Sequence, residues 1–291
     1  MHEVMAKSIL SQQNGMNIYR GCSHGCIYCD ARSTCYQMNH YFEDIEVKIN
    51  APALLERALK SKKKKCMIGT GAMSDPYIPL ELDLGLTRQC LELIDYYGFG
   101  LAIQTKSDHI LRDLDLLKSI NTKAKCVVQM TLTTYDEELC KKLEPAVCTT
   151  KRRAEVLNIM RDEGIPTVVW MSPILPFIND TRDNIEGLLS YCTTAKVKGI
   201  LQFGMGLTLR DGDRQYYYQQ LERFLPGMVE RYVRTYQEQY ELPSPNEKEL
   251  MDLLIGECKK NQIMYRARDI FEYMHRYGSK MDGQQLSMFD V

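Results

Sequence analysis

The sequence has almost no net charge and no long apolar run. Its 37 lysines and arginines are balanced by 38 aspartates and glutamates, which leaves a formal net charge of −1. A molecule-wide basic field that would attract nucleic acid to the whole surface is therefore absent, and any such binding needs a local patch. The longest apolar runs, such as residues 167–171, are too short to span a bilayer.

A secretory leader and a disulfide framework are not expected either. Polar residues occupy the part of residues 1–13 where a signal peptide would need an apolar core. The 11 cysteines are odd in number and the chain is long, so reduced thiols fit better than disulfides. Most of them stand singly in apolar segments, which is typical of small buried side chains. We therefore expect a cytoplasmic protein without membrane contact.

Three cysteines depart from this scattered pattern. Cys22, Cys26 and Cys29 follow the spacing C-x3-C-x2-C, with no fourth cysteine close by. Thiolates at this spacing can hold three irons of a [4Fe–4S] cube and leave the fourth iron open to a ligand. Two alternatives use the same residues. One is a non-catalytic iron–sulfur electron-transfer or metal-binding module, and the other is a structural zinc site that needs His24 or Cys35 as its fourth ligand.

Strand and helix patterns alternate along most of the chain with short connections, which is typical of parallel strands with crossover helices. The strand candidates are residues 17–20, 66–70, 100–105, 125–132, 167–171 and 199–204. The helix candidates are residues 52–64, 86–97, 110–119, 152–163, 181–195, 213–224, 226–240, 247–262 and 267–277. The strand signal stops near Arg210, and residues 242–245 read as a break between helices. We expect one α/β unit over residues 1–210 and a helical extension over residues 211–291, with a loose tail from Ser279.

The cysteine segment resembles the radical S-adenosylmethionine (SAM) superfamily, whose signature is this spacing with an aromatic residue, here Tyr28, before the last cysteine. The longer run from Asn17 to Arg32 resembles the spore photoproduct lyase-like branch, and the resemblance covers about residues 8–210. It implies a partial (β/α)6 TIM-type barrel, with the site at the carboxyl ends of the strands. Further matches to the branch follow at residues 71–77, 105–107, 144–145 and 152–153.

The same resemblance implies the chemistry. A [4Fe–4S] cluster on the three cysteines would bind SAM, and a reducing partner such as flavodoxin or ferredoxin would supply the electron. The radical formed would act on an unidentified substrate, for which a nucleic-acid lesion or base is the leading hypothesis. Spore photoproduct lyases carry a hydrogen-donating cysteine where Ala72 stands here, which argues against photoproduct splitting itself. Another cysteine or a tyrosine such as Tyr77 could replace that donor, and no catalytic residue is assigned.

The resemblance also implies which side chains contact SAM. Ser74 and Asp75 would accept hydrogen bonds from its amino group, and Lys106 would meet its carboxylate. Gln129 and Thr131 lie on the fourth strand, where the family directs polar residues toward the ribose, and the sequence leaves open which of the two faces inward. Arg153 either pairs with Glu144 or binds SAM. The candidates for cofactor binding are Tyr28, Ser74, Asp75, Lys106, Gln129, Thr131 and Arg153.

Three other features are expected to be structural. The lysine run at residues 62–65 ends a helix and is typical of a solvated face. His24 is expected to be an exposed loop residue, because three cysteines already suffice for the cluster. Residues 216–218 are consecutive tyrosines on a helix and cannot share one face, which favours core plus surface over a stacking platform.

Overall fold

A computed structural model describes residues 1–278, and the expected loose tail from Ser279 lies outside the described residues. The strands are β1 (His2–Val4), β2 (Gly15–Met16), β3 (Tyr19–Arg20), β4 (Glu46–Lys48), β5 (Met67–Thr70), β6 (Gly100–Thr105), β7 (Cys126–Thr131), β8 (Thr167–Trp170), β9 (Gly199–Leu201), β10 (Gly206–Thr208) and β11 (Glu241–Pro243). The α-helices are α1 (Ala51–Ser61), α2 (Glu81–Leu84), α3 (Leu86–Tyr96), α4 (Leu114–Lys123), α5 (Glu137–Leu143), α6 (Thr150–Asp162), α7 (Arg182–Thr194), α8 (Asp213–Phe224), α9 (Met228–Tyr236), α10 (Glu247–Lys260) and α11 (Ala267–His275).

Six parallel strands form the central sheet, in the order β2-β5-β6-β7-β8-β9. All six residues of β7 are buried, as expected for a parallel strand with both faces covered. No ladder joins β9 back to β2 within the described part of the chain, so the sheet curls into an open, partial barrel. The predicted α/β fold class with a partial (β/α)6 barrel is confirmed.

The expected first barrel strand was placed wrongly. Residues 17–20 contribute β3, which pairs antiparallel with β4, and β4 pairs parallel with β1 in a separate small sheet. The central sheet begins instead at β2, just before this segment. A two-residue strand shows no measurable hydrophobic alternation, so sequence periodicity could not separate β2 from β3.

Capping threonines and a glycine with positive φ set the ends of the barrel helices. Thr149 and Thr181 cap α6 and α7, each accepting a hydrogen bond from a backbone amide of the first turn. Gly164 follows α6 with a φ of +69°, which ends the helix and leaves four residues between it and β8. The predicted helix over residues 152–163 therefore agrees with the observed one to within two residues.

The part of the chain after Arg210 is mainly helical, as expected, but the segment predicted as a plain break contains β11. This strand pairs antiparallel with β10, because Leu242 can bury its side chain while its neighbours face outward. Met264 forms a bridge to Gly199 on β9, and α11 packs against the same strand. The domain boundary at residue 210 remains a prediction. None of the helices over residues 1–278 is both long and apolar enough to cross a bilayer.

Candidate functional site

The cysteine loop leaves β3 through a glycine that no other residue could replace without strain. Gly21 has a φ of +92°, and a Cβ atom there would lie 2.4 Å from the carbonyl oxygen of Phe42. The next amide, that of Cys22, donates a hydrogen bond of 3.3 Å to the same carbonyl. The loop is therefore held against the segment that precedes β4.

All three cysteines of the motif reach one cavity of about 590 Å³ at the carboxyl ends of the barrel strands. At least one pair of their sulfur atoms is more than 4.8 Å apart, since they do not form a compact metal-ligand group among the described residues. Tetrahedral zinc would hold thiolates roughly 3.8 Å apart. Cys35 is exposed and does not line the cavity. The spacing is compatible with a cluster that places each thiolate on a different iron.

The three thiols are protonated when no metal binds them. Burial raises the pKa of Cys22 to about 12, with a further contribution from the Asp75 carboxylate. Burial also raises the pKa values of Cys26 and Cys29, although the nearby Lys106 ammonium opposes both shifts. Binding of iron must therefore displace protons from these sulfurs, and Lys106 favours the resulting thiolates.

A second loop joins the site after β5. Gly71 has a φ of +97°, and a Cβ there would meet the carbonyl oxygen of Gln104 at 1.9 Å, so only glycine permits this approach to β6. Asp75 locks the loop in place, because its carboxylate accepts hydrogen bonds from the Thr105 hydroxyl at 2.7 Å and from the Lys106 amide at 2.8 Å. Asp75 and Lys106 are thereby fixed next to each other at the cavity wall.

Lys106 provides a cation that the protein does not neutralise by direct pairing. No carboxylate of the described residues lies within 4.0 Å of its ammonium group, which stands 5.9 Å from the ring centre of Tyr28. Burial alone would lower the pKa of Lys106, but negative charge on Cys26, once that thiol is ionised, and on the Glu144 carboxylate outweighs burial and raises it. Lys106 therefore presents a full positive charge to the cavity.

Ser74 lies on the cavity wall, where its hydroxyl donates to the carbonyl oxygen of Gly21 and so ties the two loops together. The expectation that His24 is exposed is wrong, because only 3% of the residue is accessible. Its Nδ1 atom lies 3.5 Å from the Asp75 carboxylate. Burial lowers the pKa of His24 although Asp75 opposes the shift, so the imidazole is neutral near pH 7. Sequence position alone could not reveal that the loop folds inward here.

Tyr28 lines the cavity, and its hydroxyl contacts a buried ion pair formed by Glu144 and Arg153. Its hydroxyl donates to one carboxylate oxygen of Glu144, and the Arg153 guanidinium lies 2.5 Å from the other. Both members of the pair are fully buried. Burial by itself would raise the pKa of Glu144, but Arg153 and Lys106 hold it below its usual value. Of the two alternatives for Arg153, the pairing with Glu144 is present, and Arg153 is not among the cavity-lining residues.

The two polar candidates on β7 do not line the cavity either. Gln129 accepts a hydrogen bond of 2.9 Å from the indole of Trp170, which does line it. The backbone carbonyl of Thr131 accepts a hydrogen bond from Arg153. Both residues are buried one layer behind the wall, and their direct contact with SAM remains a prediction.

Several cavity residues were not anticipated from the sequence. Gln104 lies near the end of β6, Trp170 is the last residue of β8, and Phe203 follows β9, so the rule that sites form at carboxyl ends of strands could have found them. Glu241 and Glu247 come from the C-terminal extension and gave no local signal. From the sequence, Tyr77 is a candidate hydrogen-atom donor. It is fully buried, its hydroxyl donates a hydrogen bond to Asp113, and it does not line the cavity. The unanticipated lining residues include Tyr36, Gln104, Trp170, Phe203, Thr208, Glu241 and Glu247.

A partial barrel with a three-cysteine loop at the carboxyl ends of its strands is the arrangement of an iron–sulfur α/β enzyme. The family model of the radical SAM superfamily matches residues 16–192. The chain belongs to the radical SAM superfamily. It is accordingly a radical SAM enzyme whose cofactors are a [4Fe–4S] cluster and SAM, and the alternatives of an electron-transfer module and a zinc site are set aside.

The chain is also similar to proteins of other organisms and to solved structures. An uncharacterized protein of Mycobacterium tuberculosis is 29% identical over 265 residues, covering 86% of this chain and 77% of the relative. An uncharacterized protein of Methanocaldococcus jannaschii is 35% identical over 169 residues, covering 57% and 62%. Spore photoproduct lyase complexed with dinucleoside spore photoproduct has the same fold, with a TM-score of 0.62 at 14% identity, covering 90% of this chain and 80% of that chain. This likeness is one of fold.

Proposed function

We propose that this enzyme cleaves SAM reductively at a [4Fe–4S] cluster held by Cys22, Cys26 and Cys29, and directs the radical at a substrate in the remaining cavity. The observation that carries the proposal is the convergence of these cysteines with Asp75 and Lys106 on one cavity of about 590 Å³. That volume lies within the range of roughly 300–1,000 Å³ that is usual for small-molecule sites.

When bound, the reduced cluster supplies the electron that splits a C–S bond of SAM into methionine and a 5′-deoxyadenosyl radical, which takes a hydrogen atom from the substrate. The protein binds and orients the reactants. Lys106 provides the positive charge for the SAM carboxylate, and Ser74 and Asp75 offer oxygen atoms to its amino group. Tyr28, fixed by Glu144, offers an aromatic face beside the cysteines for the adenine ring.

The substrate side of the cavity carries aromatic and acidic groups. The Trp170 and Phe203 rings lie 5.9 Å apart, and 59% of Phe203 is exposed, so a planar group can pack on them. Glu241 and Glu247 face the same cavity and would repel phosphates. Ala72 lines it without a thiol to return hydrogen to a thymine radical. This pattern favours a single base-sized planar group over an extended nucleic-acid strand, and repair of a lesion is supported only by the shared fold.

The direct test is cleavage of SAM by the reconstituted enzyme. Protein loaded anaerobically with iron and sulfide, then given dithionite and SAM, is expected to release 5′-deoxyadenosine and methionine in equal amounts, measured by liquid chromatography and mass spectrometry. Full cluster loading without any 5′-deoxyadenosine would refute the proposal. Protein without dithionite serves as the control for spontaneous SAM decay.

Lys106→Met is expected to weaken SAM binding by about 10- to 100-fold, because a charge-assisted hydrogen bond contributes roughly 1.5–3 kcal/mol. Methionine keeps the length of the side chain and removes its charge. The measurement is equilibrium binding of SAM to cluster-loaded protein by isothermal titration calorimetry. Lys259→Met, at an exposed position on α10, is the matched control and should bind as the unaltered protein does. Equal affinity of both variants would show that Lys106 does not contact SAM.

A further inference from the structure

A second group of metal-ligating side chains lies outside the cavity, on the small sheet formed by β1, β4 and β3. It consists of His2 on β1 with His40 and Asp44 from the segment that leads into β4. One ligand atom from each residue lies within 4.8 Å of the others, and this is the one such group of three among residues 1–278. None of the three lines the cavity.

The spacing of this group matches a single ion. His2 Nδ1 lies 3.0 Å from Asp44 Oδ2, and the two imidazole rings meet edge to face with centres 4.8 Å apart. Zinc bonds of about 2.0–2.2 Å place tetrahedral ligand atoms roughly 3.4 Å apart. The His2–Asp44 pair already stands near that separation. Small rotations of partly buried side chains would bring the His40 nitrogen to the same distance.

His40 is already oriented as a ligand. Its Nδ1 lies 3.0 Å from the Tyr41 carbonyl oxygen, which can only accept, so Nδ1 carries a proton and Nε2 is the nitrogen left to bind an ion through the lone pair of the neutral ring. That Nε2 atom is buried and has no hydrogen-bond partner. A backbone carbonyl that fixes the proton on one ring nitrogen is the usual support for a histidine that binds metal through the other.

We propose that His2, His40 and Asp44 bind one zinc-class divalent ion. Two imidazoles and one carboxylate suit zinc and neighbouring transition metals better than magnesium or calcium, which prefer oxygen ligands. Glu46 lies beside the group, with its carboxylate 3.9 Å from His40 Nε2, and is a candidate for the fourth ligand. Asp44 Oδ1 already pairs with the N-terminal ammonium of Met1 at 3.0 Å, so Oδ2 is the oxygen that faces His2 and the ion.

The position of the site gives the ion a structural role. Phe42, between His40 and Asp44, accepts the hydrogen bond from the Cys22 amide. An ion that links this segment to β1 would therefore fix the position of the Phe42 carbonyl, which binds the cysteine loop through the Cys22 amide. Binding of the ion itself does not depend on the proposed reaction, because its ligands are separate from the cluster cysteines.

The test is metal binding to cluster-loaded protein that carries no histidine tag. Titration with Zn²⁺ against a chromogenic chelator should give one zinc per chain in addition to cluster iron, and Co²⁺ should give the visible bands of a four-coordinate site. His40→Gln is expected to weaken zinc binding at least about tenfold. His275→Gln, which alters an exposed histidine on α11, is the matched control and should leave affinity unchanged.

Asp44→Asn provides a second variant at a half-exposed position and should weaken binding similarly. Iron content and circular dichroism establish that each variant is folded and loaded. The inference is overturned when folded, loaded protein takes up no zinc in competition with the chelator. It is equally overturned when His40→Gln and Asp44→Asn bind zinc as tightly as His275→Gln. Loss of SAM cleavage with zinc binding intact would count against the proposed function alone.

Discussion

Cys26→Ala is expected to abolish both cluster assembly and SAM cleavage. Cys26 is the buried middle cysteine of the loop, and no other thiol of the described residues lines the cavity except Cys22 and Cys29. With only two cysteine ligands left, the protein cannot hold three irons of the cluster. The cluster would therefore be lost, including the open iron that binds SAM. We expect bound iron to fall from about four atoms per chain to near zero.

The measurements are iron and sulfide content, the EPR spectrum of the reduced protein, and 5′-deoxyadenosine formation. Cys66→Ala is the matched control, because Cys66 is a half-buried free cysteine just before β5 and does not line the cavity. It should keep the cluster and the activity. A Cys26→Ala protein with a full complement of iron and unchanged SAM cleavage would disprove the assignment of the cluster ligands.

Arg153→Ala is expected to destabilise the whole protein and not only the site. The change leaves Glu144 as a fully buried carboxylate without its guanidinium partner, and removal of one partner from a buried pair costs about 3–5 kcal/mol. Arg153 also donates to the backbone carbonyls of Thr131 and Cys148, which would lose their donors. For a chain of this size the melting temperature should fall by roughly 10 °C.

Anaerobic thermal and urea unfolding would measure this loss. Lys141→Met breaks the exposed pair with Glu138 on α5 and should change stability by less than about 0.5 kcal/mol. The double variant Glu144→Leu with Arg153→Met should recover most of the stability, since no uncompensated charge remains. An Arg153→Ala protein as stable as the Lys141→Met control would show that the pair contributes nothing to the fold.

The regular barrel strands were predictable because their signals are local. Residues 100–105 and 126–131 are mainly apolar, as is typical of parallel strands covered on both faces, and both strands agree with the prediction to within one residue at each end. The small sheet was not anticipated, and neither was β11, because strands of two or three residues contain too few alternations to register. Their pairing is decided by partners far along the chain, such as Leu207 with Leu242.

The candidate site divides in the same way. Cys22, Cys26, Cys29, Ser74, Asp75 and Lys106 all sit in short motifs, and the structure brings them to one cavity. Gln129 and Arg153 were chosen by resemblance as SAM contacts, yet neither lines the cavity. A polar side chain on a strand or helix reaches the cavity only if no other side chain lies between them. Here Trp170 lines the cavity and binds Gln129, and Tyr28 lines it and binds Glu144, the partner of Arg153.

By itself, the sequence determined the cysteine motif, the superfamily and the order of the strands and helices, because each rests on residues close together in the chain. Only the tertiary structure decided the rest: the inward turn of His24, the Glu144–Arg153 pair beneath Tyr28, and the acidic wall that Glu241 brings to the cavity. These features depend on burial and on contacts between distant segments. Burial and long-range contacts arise only when the chain packs, and they produce no periodic pattern in the sequence from which they could be predicted.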